Sequence, residues 1–239
     1  MSGSLPDIRE IWVYLSGSPL LALILTLAAY QLGVVAYERS GRHPLANPVA
    51  IAVLLVALAI TAIDMPYDKY FEGAQFVHFL LGTATVALAL PIHRGLKELP
   101  GRIVPLVAAL LAGGVASIAS AVLIARGLGA DEAIVGGFFA KSVTAPIAMG
   151  VAERIHVSPT LTAVFAITTG ILGAILARFV LDAVGSKAWW QRGFALGVAA
   201  HGIGTARAFS VNEEAGRFAS LAMGLHGILG AVLIPLLVR

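Results

Sequence analysis

The 239-residue chain has no cysteine, which excludes disulfides, thiolate metal ligands and cysteine catalysis. Charged residues make up only 12% of it, whereas about a quarter of a soluble domain is charged. Hydrophobic residues reach 59%, and the mean hydropathy is +0.91. So few charges cannot cover a soluble globule, and much of the surface must face lipid. The net charge of +3 is scattered between apolar runs, which indicates membrane loops and excludes a nucleic-acid surface.

Carboxylates are absent from the interiors of the apolar runs. Carriers of Na⁺ or H⁺ generally need a carboxylate deep in the membrane, so their absence here points to an anionic ligand. No phosphate-binding loop, dinucleotide fingerprint, metal-ligand spacing or nucleophile–base–acid set is visible, so we expect no cofactor, no metal and no enzyme activity. Acids at the ends of runs or in loops include Asp64, Asp131, Glu132, Glu153, Asp182, Glu213 and Glu214.

Nearly uncharged runs of about 20 residues, the length that a helix needs to cross a bilayer, recur along the chain. We predict an all-α polytopic membrane protein with about eight transmembrane segments, forming a single domain over residues 1–239. Residues 1–17 are expected to form an interfacial N-terminal segment, and no cleaved signal peptide is predicted. The runs cover residues 18–37, 47–63, 72–92, 103–125, 133–152, 158–182, 190–207 and 218–238.

Basic residues favour every second loop between these runs. Arg39 and Arg42 follow the first run, Arg102 follows the third, and Arg154 follows the fifth. Basic loops stay in the cytoplasm, so this alternation places both termini outside. It supports the count of eight but does not distinguish a full crossing from a re-entrant pair.

The fifth run contains the strongest functional pattern, a cation between helix-breaking residues. Lys141 lies about nine residues into the run, where a charge is expensive and usually functional. Pro146 disfavours helix at the residue before it, so we predict a non-helical stretch over residues 140–145. The half-helix that follows would point its positive end inward, where it stabilises an anion. The competing interpretation is a lysine that reaches water from a shallower helix.

Two other runs combine glycine with polar side chains. In the third, Gly82 precedes two threonines and either unwinds a turn or lets helices pack closely. In the seventh, His201 is a neutral buried residue, a proton carrier or a ligand contact, and Arg207 also fits a cytoplasmic helix end. The predicted substrate-binding residues are Thr83, Thr85, Lys141, Ser142, Thr144, His201, Gly204, Thr205 and Arg207.

An internal repeat is suggested by two short stretches of similar sequence, residues 84–89 and 143–148. Many carriers are built from inverted repeats whose broken helices meet at the midplane. The loop charges, however, give these two stretches the same direction, which inversion forbids unless one of them is re-entrant. Discontinuous or re-entrant helices are therefore part of the predicted fold.

Several blocks, in this order along the chain, resemble the LrgB/CidB family of bacterial membrane proteins, which also includes the C-terminal half of the plastid glycolate/glycerate translocator. Weaker similarity runs from Pro19 to the C-terminus. The family's usual residues differ at Thr83 and Ala140, where it has proline, and at Ala145, Gly202 and His226. The matching blocks are residues 81–89, 141–148, 158–173, 201–208 and 220–230.

The resemblance implies two competing functions in the bacterial cytoplasmic (inner) membrane. One is a carrier or facilitator for small monocarboxylates such as glycolate, glycerate, pyruvate or lactate, with crossed broken helices as in cation/bile-acid carriers. The other is a holin/antiholin-like modulator of murein hydrolase activity and lysis, acting with a small LrgA/CidA-type membrane partner. A homo-oligomer is expected in either case. The deep Lys141 favours the carrier, because a pore-former does not need a cation inside a broken helix.

Overall fold

The computed structural model describes residues 19–87, 93 and 101–238. All regular structure within these ranges is helical. The chain divides between Ala87 and Leu88 into two compact units. The predicted interfacial segment, residues 1–17, lies outside the described residues.

The described residues of the first unit form three helices and a short 3₁₀ turn. Gly33 of the first helix lies against Pro48, where an added Cβ would be only 2.5 Å from the proline carbonyl oxygen. The Thr26 and Tyr70 hydroxyls are 2.7 Å apart and join the first helix to the third. The elements are α1 (Pro19–Arg39), the 3₁₀ turn (Pro44–Ala46), α2 (Pro48–Ala62) and α3 (Tyr67–Ala87).

Helix α3 continues without a break through Gly82 and the two threonines that follow it. The Thr83 hydroxyl donates to the carbonyl of Leu80 at 2.8 Å, so it is satisfied within its own helix. Unwinding of this turn, one of the two interpretations of the pattern, is therefore wrong. The backbone of Thr85 is helical, and its side chain lies outside the described part of the structure.

From residue 101 to residue 238, the second unit consists of three long helices and two segments in which the helix is interrupted. We call residues 132–154 the first interrupted segment and residues 189–211 the second. The elements are α4 (Ile103–Gly127), α5 (Glu132–Gly137), α6 (Ala145–Arg154), α7 (Pro159–Ala183), α8 (Trp189–Val211) and α9 (Glu213–Leu237).

Helices α4 and α9 run in the same direction. Arg102, just before α4, lies 4.0 Å from Glu214 at the start of α9, and Gly114 lies against His226 further along both helices. Helix α7 runs the opposite way. Asp182 near its C-terminus bonds to Arg192 at the beginning of α8, and Trp190 of that same turn contacts Arg102 at the beginning of α4. We call the end of the unit where α4 begins the Arg102 end, and the end where α4 finishes the Arg126 end.

The first interrupted segment enters from the Arg126 end and returns toward it. Arg126 bonds to Glu132 at 2.9 Å. From there the chain runs along α4 toward the Arg102 end and then returns along the C-terminal half of α9 toward the Arg126 end. Val157, after α6, meets Gly136 of α5 again. Along this course Ser142 contacts Ser117 and Val143 contacts Gly230. Val135 belongs to one hydrophobic cluster with Val122, and Val151 belongs to another with Ile234.

The second interrupted segment enters from the Arg102 end and reverses at His201. This residue has φ 40° and ψ −130°, a strained combination for a non-glycine residue. The arm before it runs parallel to α9, and the arm after it runs antiparallel to α9. The contacts are Gly193 with Ala215, Gly197 with Ala219, Gly202 with Met223 and Phe209 with Gly216.

A helix followed by an interrupted segment thus occurs twice, in opposite directions. Residues 103–154 form one copy and residues 159–211 the other. The similar stretches at 84–89 and 143–148 fall largely in different units, and residues 88 and 89 lie outside the described residues, so the suggested repeat between them stays a prediction. The predicted alternation of loops fails here, because Arg102 and the loop after Asp182 both meet the beginning of α8 and share one end.

The protein is an integral membrane protein. Among the described residues, α1, α4, α7 and α9 are long and apolar enough to cross a bilayer. Helix α4 exposes large apolar side chains that a soluble protein would bury, with Val104 79% and Leu123 68% exposed. Within the described residues the predicted runs fall on helices, but the fifth and seventh are interrupted. Eight full crossings remain a prediction.

Candidate functional site

Lys141 lies in the non-helical stretch of the first interrupted segment, as the sequence predicts. Its ammonium group donates to the Ser117 hydroxyl at 2.7 Å and to the Ser142 hydroxyl at 3.1 Å. The two hydroxyl oxygens are 2.7 Å apart, so the three groups contact one another. Ser142 is 3% exposed, and Lys141 is half-buried. The lysine is therefore held inside the second unit and is not extended into bulk solvent.

None of the ion pairs among residues 19–87 and 101–238 includes Lys141. Taking an ammonium group out of water without a counter-charge is costly, and neutral hydroxyls offset only part of that cost. The predicted excess of positive charge over negative charge in this region is thus present in the described structure. An anion at this position would supply the missing charge.

Helix α6 begins at Ala145, immediately after Thr144, with Pro146 in its first turn. Thr144 occupies the N-cap position, yet its side chain makes no capping bond, and its buried hydroxyl has no partner among the described residues. An N-cap threonine normally accepts a bond from the first turn. The start of α6 therefore presents backbone N–H groups and a hydroxyl with unused bonding capacity.

His201 uses both ring nitrogens inside the protein. Nδ1 accepts from the backbone N–H of Gly202 at 2.9 Å, and Nε2 lies 2.8 Å from the carbonyl oxygen of Ala166. Because that carbonyl can only accept, Nε2 must carry the proton and the ring is neutral. Of the three predicted roles, this geometry fits the neutral buried residue, which holds the turn of α8 against α7.

Two residues of this region were not singled out from the sequence as ligand contacts. Ser117 lies in the alanine-rich middle of α4, where a single serine carries little signal. His226 is 6% exposed on α9, and its Nδ1 has no partner among the described residues. A Cβ added at Gly114, three residues before Ser117 on α4, would lie 3.6 Å from the His226 ring, so this ring lies near the contact between Ser117 and Lys141.

The remaining predicted residues lie further along α8 or in the first unit. Gly204 packs against the opposite arm of its own helix, and the Thr205 hydroxyl donates to the carbonyl of His201 at 2.8 Å. Arg207 lines a cavity at the Arg102 end whose lining does not include Lys141. Thr83 and Thr85 belong to the first unit, and their approach to Lys141 stays a prediction.

A groove between α4 and α8 leads toward Lys141. It has a volume of about 370 Å³ and apolar walls that include Ala109, Gly113 and Phe194. Ser117, which bonds to the lysine, is also part of its lining. A small molecule in this groove would therefore meet the hydroxyl that holds the cation. No three His, Asp or Glu side chains of the described residues gather as a metal site.

The fold and this site define a class, a polytopic helical membrane protein with a cation beside an interrupted helix. The profile of the LrgB-like family matches residues 26–239, and the chain belongs to that family. The family predicted from the sequence blocks is thereby confirmed.

Two named relatives match the chain over almost its whole length. The uncharacterized protein YxaC of Bacillus subtilis is 31% identical, and the match covers 92% of this chain and 95% of YxaC. The holin-like protein CidB of Staphylococcus epidermidis is 28% identical over 91% of this chain and 95% of CidB. No solved structure matches.

Proposed function

We propose that the chain is a holin-like membrane protein of the CidB type that modulates murein hydrolase activity and cell lysis from the bacterial cytoplasmic membrane. The observation that carries this proposal is the full-length similarity to proteins named holin-like. Exposed apolar helices support the membrane location. A small LrgA/CidA-type membrane protein is the proposed partner, and a homo-oligomer is the proposed state.

A lysis assay in cells tests this function. The chain is expressed with and without the small partner, and autolysis rate and murein hydrolase activity on gels are measured. We expect the rate to change only when both proteins are present. Identical autolysis in all strains, with the chain shown by immunoblot to be in the membrane, would contradict the proposal.

A second function is favoured by one specific observation, the half-buried Lys141 whose bonding partners are hydroxyls. We propose that this group binds the carboxylate of a small monocarboxylate such as glycolate, glycerate, pyruvate or lactate. Ser142 and Thr144 would bond the 2-oxo or 2-hydroxy oxygen, as would Thr85. His201 and Arg207 would line or gate the pathway.

The unused bonding groups support this second function. A buried hydroxyl or ring nitrogen without a partner costs about 1–3 kcal/mol, so such groups are few in folded proteins. Thr144, three residues after Lys141, and His226 of α9 each contribute one such group. A ligand with several oxygens would satisfy them together with the ammonium group.

The membrane placement of the two interrupted segments is part of the same proposal. Neither arm of α8 is long enough to cross a bilayer, since its 23 residues divide at His201. Irregular backbone is tolerated at membrane depth where it is buried in protein or lines a cavity. We place both interruptions near the midplane, entered from opposite sides, as in carriers built from inverted repeats.

Uptake by proteoliposomes tests the second function. We expect labelled pyruvate or glycolate to enter vesicles containing the chain faster than empty vesicles. Lys141→Met should reduce that uptake at least tenfold, while the matched Lys69→Met, at an exposed position of α3, should leave it unchanged. Uptake equal to that of empty vesicles would rule out carriage of these anions.

The same variants separate the two functions. If Lys141→Met abolishes uptake but preserves the lysis phenotype, the two activities are distinct. If it abolishes both, the anion site serves lysis control. If uptake is absent and lysis survives the substitution, the holin-like function stands without an anion site.

A further inference from the structure

A second cavity lies at the Arg102 end of the second unit, away from the Lys141 groove. It has a volume of about 550 Å³, within the usual range for small-molecule sites. Its walls come from the C-terminal part of α7, from both arms of α8 and from the first turn of α9. Because both arms of one interrupted segment contribute, a molecule bound here would contact the two halves of α8 together.

The charges of this cavity are unbalanced. Among the described residues, its lining contains Arg178, Lys187, Arg192 and Arg207 and one carboxylate, that of Asp182. Asp182 accepts from Arg192 at 2.7 Å and lies 3.8 Å from Arg178. Even with Arg207 left out of the balance, one carboxylate of the described lining faces three cations, and this surplus of positive charge favours an anionic ligand.

Arg192 is held in place independently of any ligand. Its guanidinium also donates to the carbonyl of Ser186 at 2.7 Å and lies 5.7 Å from the centre of the Trp189 ring. Its side chain is only 15% exposed. A fixed, largely buried cation provides a preorganised binding point, since little freedom remains to be lost when an anion arrives.

The rest of the cavity is apolar and adjoins a lipid-facing surface. Ala174, Ala177 and Leu181 of α7 form one wall. The neighbouring Phe179 and Val180 are 49% and 55% exposed and point away from the described core. A ligand with an anionic head and an apolar tail would place its head among the cations and its tail along α7.

We propose that this cavity binds an anionic amphiphile, with a phosphate headgroup among the cations and an acyl chain along α7. The shared chemistry is an anionic phosphate, and its source is either a membrane phospholipid or free phosphate. Trp189, exposed at the mouth, is typical of the membrane–water interface and fits the lipid source. Bound there, the ligand bridges the arms of α8.

The test uses the full-length chain in a neutral detergent. Thermal midpoint and native mass spectrometry are measured with phosphatidylglycerol, with phosphatidylcholine of the same chain length and with inorganic phosphate. We expect phosphatidylglycerol to raise the midpoint and remain bound, and phosphatidylcholine to do neither. Inorganic phosphate that raises the midpoint as much as the lipid would assign the site to a soluble anion.

Substitutions locate the effect. Lys187→Gln and Arg178→Gln, both at exposed side chains, should each weaken binding about fivefold, the effect of one cation near an anionic surface. Arg154→Gln, an exposed arginine at the Arg126 end, is the matched control and should change nothing. Ala177→Trp should block the tail and reduce lipid binding without affecting inorganic phosphate. Equal binding of both lipids, or equal losses in Lys187→Gln and Arg154→Gln, would overturn the proposal.

Discussion

The two interrupted segments enter the second unit from opposite ends, yet they leave their polar groups in different states. Around the second interruption, both ring nitrogens of His201 and the hydroxyl of Thr205 are bonded within the protein. Around the first, the hydroxyl of Thr144 is unpartnered and Lys141 has only hydroxyl partners among the described residues. A turn whose polar groups are hydrogen-bonded within the protein serves a structural role, whereas a turn that leaves polar groups without such bonds can bind a ligand through them.

The packing of the segments differs in the same sense. Glycines of the second segment lie against backbone, since a Cβ on Gly193 or Gly197 would overlap the carbonyl of Ala215 or Ala219. Glycines of the first lie against side chains, as Gly137 does against the ring of Phe165. Side chains adjust more easily than backbone. The second segment is therefore packed rigidly (locked) against the backbone of α9, and the first segment has more freedom to adjust when a ligand binds.

The largest expected effect tests this difference directly. Gly197→Ala should lower the free energy of unfolding by about 3 kcal/mol, because overpacking against backbone is hard to relieve. Gly137→Ala should cost only about 1 kcal/mol, because the Phe165 ring can shift. The measurement is the temperature at which each variant loses its monodisperse peak in size-exclusion chromatography.

Gly150→Ala is the control for this pair. No atom lies within 4 Å of a Cβ added at that position in α6, so alanine should leave stability unchanged or raise it by up to about 1 kcal/mol. Equal stability of Gly197→Ala and Gly150→Ala would show that the second segment is not locked.

The next effect concerns the strain at His201. His201→Ala removes two hydrogen bonds and keeps a backbone conformation that L-residues rarely adopt, so it should cost about 3 kcal/mol. His201→Gly removes the same bonds but relieves the strain, and should be about 1 kcal/mol more stable than the alanine variant. Thermal midpoints of the two variants give the comparison. An alanine variant more stable than the glycine variant would mean that the turn is not strained.

A smaller effect on stability is expected when the same substitution, threonine to valine, is made in each of the two segments. Thr144→Val removes an unpartnered buried hydroxyl and should be neutral or stabilising by about 1 kcal/mol without ligand. Thr205→Val removes a bonded hydroxyl and should cost about 1 kcal/mol. Thermal midpoints again provide the measurement. If both variants lose the same stability, the hydroxyls of the two turns are equally well hydrogen-bonded, and the proposed difference between the two segments is wrong.

Much of this fold follows from local chemistry. Within the described residues the apolar runs lie on helices close to their predicted bounds, and the fifth run is interrupted just before Pro146, which lies in the first turn of α6. At Gly82 the sequence left two interpretations open, and the helix is continuous there, with the Thr83 hydroxyl bonded within its own helix. A glycine beside hydroxyls does not by itself decide between these outcomes.

The reversal of α8 and the partners of Lys141 could not be predicted in the same way. The topology predicted from loop charges requires every run to cross the membrane. Helix α8 reverses at His201, so this requirement does not hold for the loops on either side of it. Ser117 is one serine among alanines, and only the antiparallel course of the first segment along α4 brings it to Lys141. Such contacts depend on tertiary packing, which periodicity does not encode.

The smallest expected effect lies at the entrance of the first segment. A hydrogen bond from Arg126 holds the pKa of the Glu132 carboxyl below its usual value. A lowered folded-state pKa means that the pair contributes stability above the unfolded pKa of about 4.3 and loses it as pH falls through the folded pKa. The pair is exposed and therefore weak, so the effect on global stability should be slight. NMR titration of Glu132 should show its pKa returning upward in Arg126→Gln, whereas Arg154→Gln should leave it unchanged. An unshifted Glu132 in the unsubstituted protein would mean that this entrance, unlike the Asp182–Arg192 contact at the other end, is not held by an ion pair.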